Sequence, residues 1–351
     1  MINKKITDRP IKIAVVGYGH IAKKHIQAIE AFPNDLLLTG IAEPNSAALE
    51  QAVAEHKTTG YRDLSELLSK SNADIVTVCT PSGLHAKQTI AIANHKKHII
   101  CEKPMAIRWR DGLDMIKACD DHHVHLFVVK QNRANPTLDI LKQAIDLNRF
   151  GRIYQININV FWTRPQDYYN QSKWRGSWEF DGGVLMNQAS HYIDLLHWLF
   201  GPVANVHAMT ATQARQIESE DSAVLNLRWR SGTLGSMNVS ILTYPKNLEA
   251  SLTVLGEKGT VKIGGVAINE IETWQFSEPH EMDNQIKTAS ENTTKSIGDG
   301  HIRYYQNVIS TLQGHTMPQT DGRDGLKTLE LVIAAYMSAR EDKTISLPLE
   351  F

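Results

Sequence analysis

Four groups of residues in this chain have types and spacings suited to chemistry. The first is Gly17-Tyr-Gly19-His20-Ile21-Ala22, directly after the apolar run Ile13-Ala-Val-Val16. Gly17 suits a tight turn out of a strand, Gly19 a close backbone approach to a pyrophosphate, and Ala22 close packing of helix on strand. His20 and Ile21 open that helix, where unpaired N–H groups and a partial positive charge favour phosphate. A second apolar run, 36–42, ends at Glu43, an acid about twenty residues on, where a ribose diol is gripped and a 2′-phosphate repelled. The spacing predicts NAD binding; an empty Rossmann-like domain is the alternative.

The second group is Glu102-Lys103-Pro104, after the apolar stretch 98–101. Proline fixes the chain direction after Lys103. A lysine partly desolvated beside a cofactor can serve as an acid/base group, although most lysines are simply surface residues. The third is Asp181-Gly-Gly-Val-Leu-Met-Asn187-Gln188-Ala-Ser-His191-Tyr-Ile-Asp194. Asn187 and His191 stand four apart and share a face if the stretch is helical. His191 could take a hydroxyl proton while hydride leaves the same carbon, with Asn187 and Gln188 on ring hydroxyls. A packed core histidine is the plainer reading. Asp194 orients His191 or caps a neighbouring backbone.

The fourth group holds Trp162-Thr-Arg164, Tyr168-Tyr169 and Lys173-Trp174-Arg175. Aromatic rings beside forked guanidiniums suit a ligand with flat or sugar faces and anionic groups. A nucleotide sugar with a diphosphate and a carboxylate fits; an aromatic lid that only packs is the alternative. Arg164 and Lys173 are the candidates for ligand anions. Gln131-Asn132-Arg133 follows the last strand-like run of the first half and suits a ligand seam or a linker.

The elements that must position these groups alternate over the first 130 residues. Strand-like runs at 11–16, 36–42, 74–79, 98–101 and 125–129 are separated by helical patterns at 21–31, 46–55, 64–71, 85–94 and 110–122. Such alternation implies a parallel sheet covered on both faces, with ligands at the strands' carboxyl ends. Glu102-Lys103 and Thr80-Pro81-Ser82-Gly-Leu-His85 fall at such ends. After a helix at 137–148, strands at 153–162, 203–212, 221–229, 232–242, 248–255 and 259–263 alternate apolar and polar residues, which fits a largely antiparallel sheet with one buried face. Helices are expected at 185–199 and 325–340, and the polar stretch 278–300 as a loop. The fold class is α/β: an NAD-binding Rossmann domain over 1–130, then a substrate-binding and oligomerisation α/β domain with an open sheet over 131–351, whose last helix is free to pack back on the first domain.

Composition narrows the function classes. The chain has 351 residues, 42% of them hydrophobic, enough for two cores. With 37 basic and 38 acidic side chains, there is no charge excess to attract nucleic acid or a membrane surface. No apolar run approaches the ~20 residues of a membrane span. The polar first ten residues lack a secretory apolar core, and three scattered cysteines suit a reducing cytoplasm. No His/Cys spacing fits zinc, so no metal is expected, and no nucleophile elbow appears.

Taken together, these motifs resemble the glucose–fructose oxidoreductase/inositol dehydrogenase/MocA family. The resemblance covers nearly the whole chain and includes the closing Asp321-Gly-Arg-Asp-Gly-Leu-Lys-Thr-Leu-Glu330. It implies Lys103 and His191 at the reacting hydroxyl, Trp174-Arg175 beside the nicotinamide, and association into dimers or tetramers through the open sheet. Cofactor contacts are then expected from Gly17, Gly19, His20, Ile21, Glu43, Thr80, Pro81, Ser82, His85, Glu102, Lys103, Gln131, Trp174 and Arg175. Substrate contacts are expected from Lys103, Asn132, Arg133, Arg164, Tyr168, Tyr169, Lys173, Asn187, Gln188 and His191. Many members carry Asp where this chain has Asn187, an amide that cannot act as a base. Segments such as Lys130-Gln-Asn-Arg133 and Met186-Asn-Gln-Ala-Ser-His191 are similar to members that oxidise C3 of UDP-N-acetylglucosaminuronate. In those, an aminotransferase follows on the way to a diaminouronic acid of lipopolysaccharide O-antigen, and some recycle bound NADH with 2-oxoglutarate. A dehydrogenase of free sugar or inositol, a non-catalytic NAD sensor and an NAD-assisted glycosidase are the competing readings.

Overall fold

The computed structural model describes residues 5–295 and 300–350. The chain divides into two units, 1–131 with 298–326 and 132–297 with 327–351. The first unit opens with β1 (Ile11–Val16), α1 (His20–Glu30), β2 (Leu36–Ala42), α2 (Ser46–His56), β3 (Gly60–Tyr61), α3 (Leu64–Lys70), β4 (Ile75–Val78), α4 (His85–Asn94), β5 (His98–Cys101), α5 (Trp109–Asp121) and β6 (Leu126–Val128). All sheet pairs are parallel, in the order β3-β2-β1-β4-β5-β6. β4 and β5 are buried at every position, as expected of parallel strands covered on both faces. The order reverses between β1 and β4, so their carboxyl ends flank the crevice where such sheets take ligands.

The second unit holds α6 (Pro136–Asp146), β7 (Ile153–Phe161), α7 (Gln166–Asn170), α8 (Ser190–Phe200), β8 (Val203–Ala211), β9 (Ser222–Trp229), β10 (Leu234–Ser240), β11 (Glu249–Gly256), β12 (Gly259–Gly264), β13 (Glu270–Phe276) and α9 (Ile286–Lys295). The chain continues through α10 (Gly300–Leu312), α11 (Gly322–Glu341) and β14 (Ile345–Ser346). The eight strands run β13-β12-β11-β7-β10-β9-β8-β14. Among the described residues of this sheet, only β7 and β10 pair in parallel. Ile156, Ile158, Val160, Leu225, Met237 and Leu252 fill the inner face, where Trp229 donates to the Leu196 carbonyl of α8. The outer face carries a polar ladder: Asn157 donates to Ser236 at 2.8 Å and Asn238 to Asn159 at 3.0 Å.

α10 belongs to the first unit: Tyr305, Val308 and Leu312 share one apolar core with Ile26 and Ile29 of α1 and Ile13 of β1. Two sequence expectations are corrected. The stretch 278–300 is not a loop through most of its length. A tight turn at Glu281–Gln285 leads into α9, anchored by Asp283, which accepts from Arg149 at 2.6 Å, Trp274 at 2.7 Å and the His280 backbone at 2.8 Å. Residues 296–299 of that expectation lie outside the described residues. The helix expected at 185–199 begins only at Ser190. Asn187 therefore sits in the turns before α8 and shares no helix face with His191.

Candidate active site

In the first unit the glycine turn is built as a phosphate cradle requires. Gly17 has φ +88°, and a Cβ there would lie 2.9 Å from the Cys79 carbonyl oxygen, which does not move aside. Among the described residues a Cβ on Gly19 would meet nothing within 4 Å. Gly19 caps α1 without a side-chain hydrogen bond, and Gly19 and His20 are exposed. The first N–H groups of α1 thus face open space, the setting that takes a pyrophosphate. Glu43 follows β2 and locks the turn: its carboxylate accepts from the Tyr18 backbone and from the Asn45 backbone, each at 2.9 Å. These residues fit a dinucleotide whose diphosphate approaches Gly19.

Thr80, Pro81, Ser82 and Lys103 lie at the same sheet end, after β4 and β5. Lys103 is half-buried. His85 and Glu102, expected to touch the cofactor, are turned inward instead. His85 is 1% exposed, and its ring nitrogens lie 2.8 Å from the Pro104 carbonyl and 2.9 Å from the Thr80 carbonyl. It bridges the loop after β4 to the turn that carries Lys103. Glu102 is 4% exposed. Its Oε1 meets His25 Nε2 of α1 at 3.0 Å and His301 Nε2 of α10 at 3.4 Å, and its Oε2 accepts the Lys103 backbone N–H at 3.0 Å. Burial alone would raise the Glu102 carboxyl, but the two histidines hold it well below the usual range. His25 also meets the Tyr305 hydroxyl at 2.9 Å, and burial lowers its pKa.

Nothing local in the sequence points to the cluster of His25, Glu102 and His301, because its members come from α1, the end of β5 and α10. Their ligand-type atoms lie within 4.8 Å of one another, a grouping that could hold a metal ion. The 3.0 Å approach of His25 Nε2 to a carboxylate oxygen instead marks a protonated nitrogen. The available signal is a histidine flanked by the apolar stripe Ala22, Ile26 and Ile29 of α1.

In the second unit the expected aromatic and cationic residues come together. The Arg164 guanidinium lies 5.3 Å from the Trp162 ring and 5.5 Å from the Tyr168 ring. Arg175 lies 4.1 Å from the Tyr168 ring and 5.6 Å from Trp174, and donates to the Tyr168 carbonyl at 2.8 Å. Tyr169 is buried against Tyr168, with ring centroids 5.1 Å apart. Lys173 is exposed. This forms a stacked, positively charged surface with rings for a planar or sugar face.

The turns before α8 are fixed by buried acids. Asp181, 1% exposed, accepts the Gly176 backbone N–H at 2.8 Å and the Asn187 side-chain amide. Glu220, 3% exposed, accepts the Leu185 N–H and the Tyr336 hydroxyl, each at 2.9 Å. Burial pushes its pKa up to about 7. Gln188 is buried and His191 half-buried. Arg133, expected on substrate, instead forks onto Asp194: Nε and Nη2 each donate at 2.8 Å. Thr328 adds a third bond to Asp194 at 3.1 Å. The carboxylate expected to orient His191 or cap a backbone thus clamps the entry segment of the unit. Gln131 and Asn132 are half-buried.

Comparison with known proteins fits this geometry. Residues 11–130 match the oxidoreductase family's NAD-binding Rossmann fold, and 142–347 its C-terminal alpha/beta domain. The chain is similar to the WlbA dehydrogenase of Bordetella pertussis, solved with NADH and UDP-GlcNAcA. The two are 54% identical with TM-score 0.97, covering 98% of this chain and all of that one. It is also similar to the WlbA dehydrogenase of Chromobacterium violaceum, solved with the same ligands, at 55% identity and TM-score 0.96 over the whole of both chains. A myo-inositol 2-dehydrogenase of Thermotoga maritima is 25% identical over 96% of this chain and 98% of its own.

Proposed function

The chain belongs to the glucose–fructose oxidoreductase/inositol dehydrogenase/MocA family of oxidoreductases, and on that premise we propose that it oxidises the C3 hydroxyl of UDP-GlcNAcA to a ketone with NAD. The observation that carries this reading is the 54–55% identity, over essentially full length, to two dehydrogenases solved with NADH and UDP-GlcNAcA. When bound, the nicotinamide supplies the hydride acceptor. Gly17, Gly19, His20 and Ile21 hold the diphosphate, Glu43 the ribose diol, and Thr80, Pro81, Ser82, Gln131, Trp174 and Arg175 border the remainder.

Lys103 or His191 takes the hydroxyl proton, and one apparent pKa can belong to the pair. Arg164 and Lys173 neutralise diphosphate and carboxylate, Tyr168 and Tyr169 pack the sugar, and Asn132, Asn187 and Gln188 meet its polar groups. Fixed donors and cations orient the substrate so that C3 can give up its hydride while the oxygen it bears gives up its proton. Among the described residues no helix is long and apolar enough to cross a membrane. A cytoplasmic homotetramer associating through the open sheet face, acting before an aminotransferase in lipopolysaccharide O-antigen synthesis, completes the reading, with 2-oxoglutarate as a candidate recycling oxidant.

The test is incubation of the purified protein with UDP-GlcNAcA, with and without 2-oxoglutarate. NADH absorbance is followed and the sugar nucleotide weighed by mass spectrometry. A product two mass units lighter, formed from UDP-GlcNAcA and not from free GlcNAcA or myo-inositol, is the expected result. Turnover of the free sugars instead overturns the substrate assignment. Tight NADH binding with no product overturns the activity.

A further inference from the structure

Behind Lys103, inside the first unit, runs a hydrogen-bond chain whose direction is fixed by its chemistry. A carboxylate only accepts, so the Nε2 atoms of His25 and His301 that meet Glu102 carry protons. In a neutral His25 ring Nδ1 is then the acceptor, and it takes the Tyr305 hydroxyl hydrogen at 2.9 Å. The Tyr305 oxygen is left to accept from Thr77 Oγ1 at 3.2 Å. The relay passes Thr77, Tyr305, His25 and Glu102, and it ends on the backbone N–H of Lys103. It joins β4, α10, α1 and the end of β5, and its members are buried.

Packing alone does not call for this set. A buried carboxylate is costly unless donors surround it, and an apolar residue would fill the space without two histidines and a tyrosine. The other titratable groups facing Glu102 are Cys79 and Cys101 at the ends of β4 and β5, Tyr304 of α10 and His85 of α4. Burial drives the thiols and the phenol up and the imidazole down, toward uncharged forms. Glu102 stands as the fixed negative charge of this interior, one residue before the lysine.

We propose that His25, His301 and Tyr305 are positioning residues for Lys103: they hold Glu102 as an anion clamped to the Lys103 backbone, so that the lysine is presented in one place beside one fixed charge. The proposal rests on the reading of Lys103 as the acid/base group. An adjacent anion favours the ammonium form, so the relay also sets the pH at which Lys103 releases its proton.

The test reads Lys103 itself. The full-length protein is reductively methylated with 13C-formaldehyde and titrated by NMR, with Lys103→Arg identifying the signal. Glu102→Gln keeps the shape and removes the charge, and is expected to lower the Lys103 midpoint by on the order of one pH unit. In the same variant kcat falls at least about ten-fold while the Kd for NADH changes by less than about three-fold, since the glycine turn is untouched. His301→Phe keeps a ring but no donor, and shifts the midpoint the same way by less. An unchanged midpoint in a Glu102→Gln protein that still binds NADH overturns the proposal. If that variant does not fold, His301→Phe decides by the same readout. Absence of turnover by the wild type on UDP-GlcNAcA sinks the functional reading, and the Lys103 midpoint still judges the relay.

Discussion

The side-chain amide of Asn187 donates to the buried carboxylate of Asp181. This pairing gives the amide at position 187 a structural reason, since it supplies a donor that the Asp181 carboxylate accepts. A second carboxylate there would face the buried Asp181 at hydrogen-bonding distance, where the two charges disfavour each other's ionised form.

Asn187→Asp is therefore expected to cost roughly 2 kcal/mol of stability at pH 8, with part recovered toward pH 5 as one acid takes a proton. Asp181→Asn leaves two amides and costs a similar amount. The double exchange Asp181→Asn/Asn187→Asp restores one donor and one acceptor, because the amide carbonyl introduced at position 181 can still accept the Gly176 N–H. A double-mutant cycle by urea unfolding should show coupling of at least about 1 kcal/mol. Additive losses would mean that the pair is not energetically linked.

The two turn glycines should separate folding from binding. Gly17→Ala forces a side chain into φ +88° and against the Cys79 carbonyl oxygen, so a loss of roughly 2–4 kcal/mol is expected. Gly19 has φ −81° and open space around a Cβ. Gly19→Ala should leave the thermal midpoint of the cofactor-free protein nearly unchanged. Its NADH affinity should fall at least about ten-fold, because the methyl occupies the phosphate approach. Calorimetry and fluorescence titration on the same samples check both halves.

Glu220 gives a pH signature. Its pKa is pushed up to about 7 by burial, and among the described residues its Oε2 has no hydrogen-bond partner. The native protein keeps a proton that the unfolded chain gives up near the ordinary glutamate value. Folding then takes up a proton between about pH 4.5 and 7, and stability falls as pH rises through that window, by roughly 3 kcal/mol from this group. Glu220→Gln should flatten that part of the stability–pH curve and be the more stable protein at pH 8. A mutant slope equal to the wild-type slope would remove Glu220 as its source.

Arg133 makes a further contrast. It is 12% exposed in its side chain and forks onto Asp194, 3% exposed. Arg133→Ala should destabilise by about 3–5 kcal/mol, the cost of leaving a buried carboxylate without its partner. Arg133→Ala/Asp194→Leu should recover much of that loss. A residue serving only the substrate would raise KM and leave the denaturation midpoint in place.

How far these features are readable from sequence depends on whether the signal is local. The Rossmann strands announce themselves as apolar runs, the glycine turn by its spacing, and the aromatic and guanidinium cluster by crowding within roughly fifteen residues. β3 has two residues and offers no pattern. α9 is so polar that its stretch resembles a loop, since its start is fixed by Asp283 meeting Arg149 and Trp274. Asn187 and His191 carry helix spacing, yet the buried acids Asp181 and Glu220 hold the chain in turns until Ser190. Glu102 and Arg133 have the residue types of ligand contacts. Only their partners, His301 and Asp194, 199 and 61 positions away, reveal that each is spent inside the fold.

The return of α10 to the nucleotide unit has a consequence for how the protein is made. A nascent chain that has left the ribosome only as far as Gln131 contains every strand of the parallel sheet. It still lacks Tyr305, Val308 and Leu312 to cover α1, and His301 to meet Glu102. Synthesis of the intervening unit must come first, so the half that opens the sequence is among the last to be sealed, and until then its apolar flank is open to aggregation.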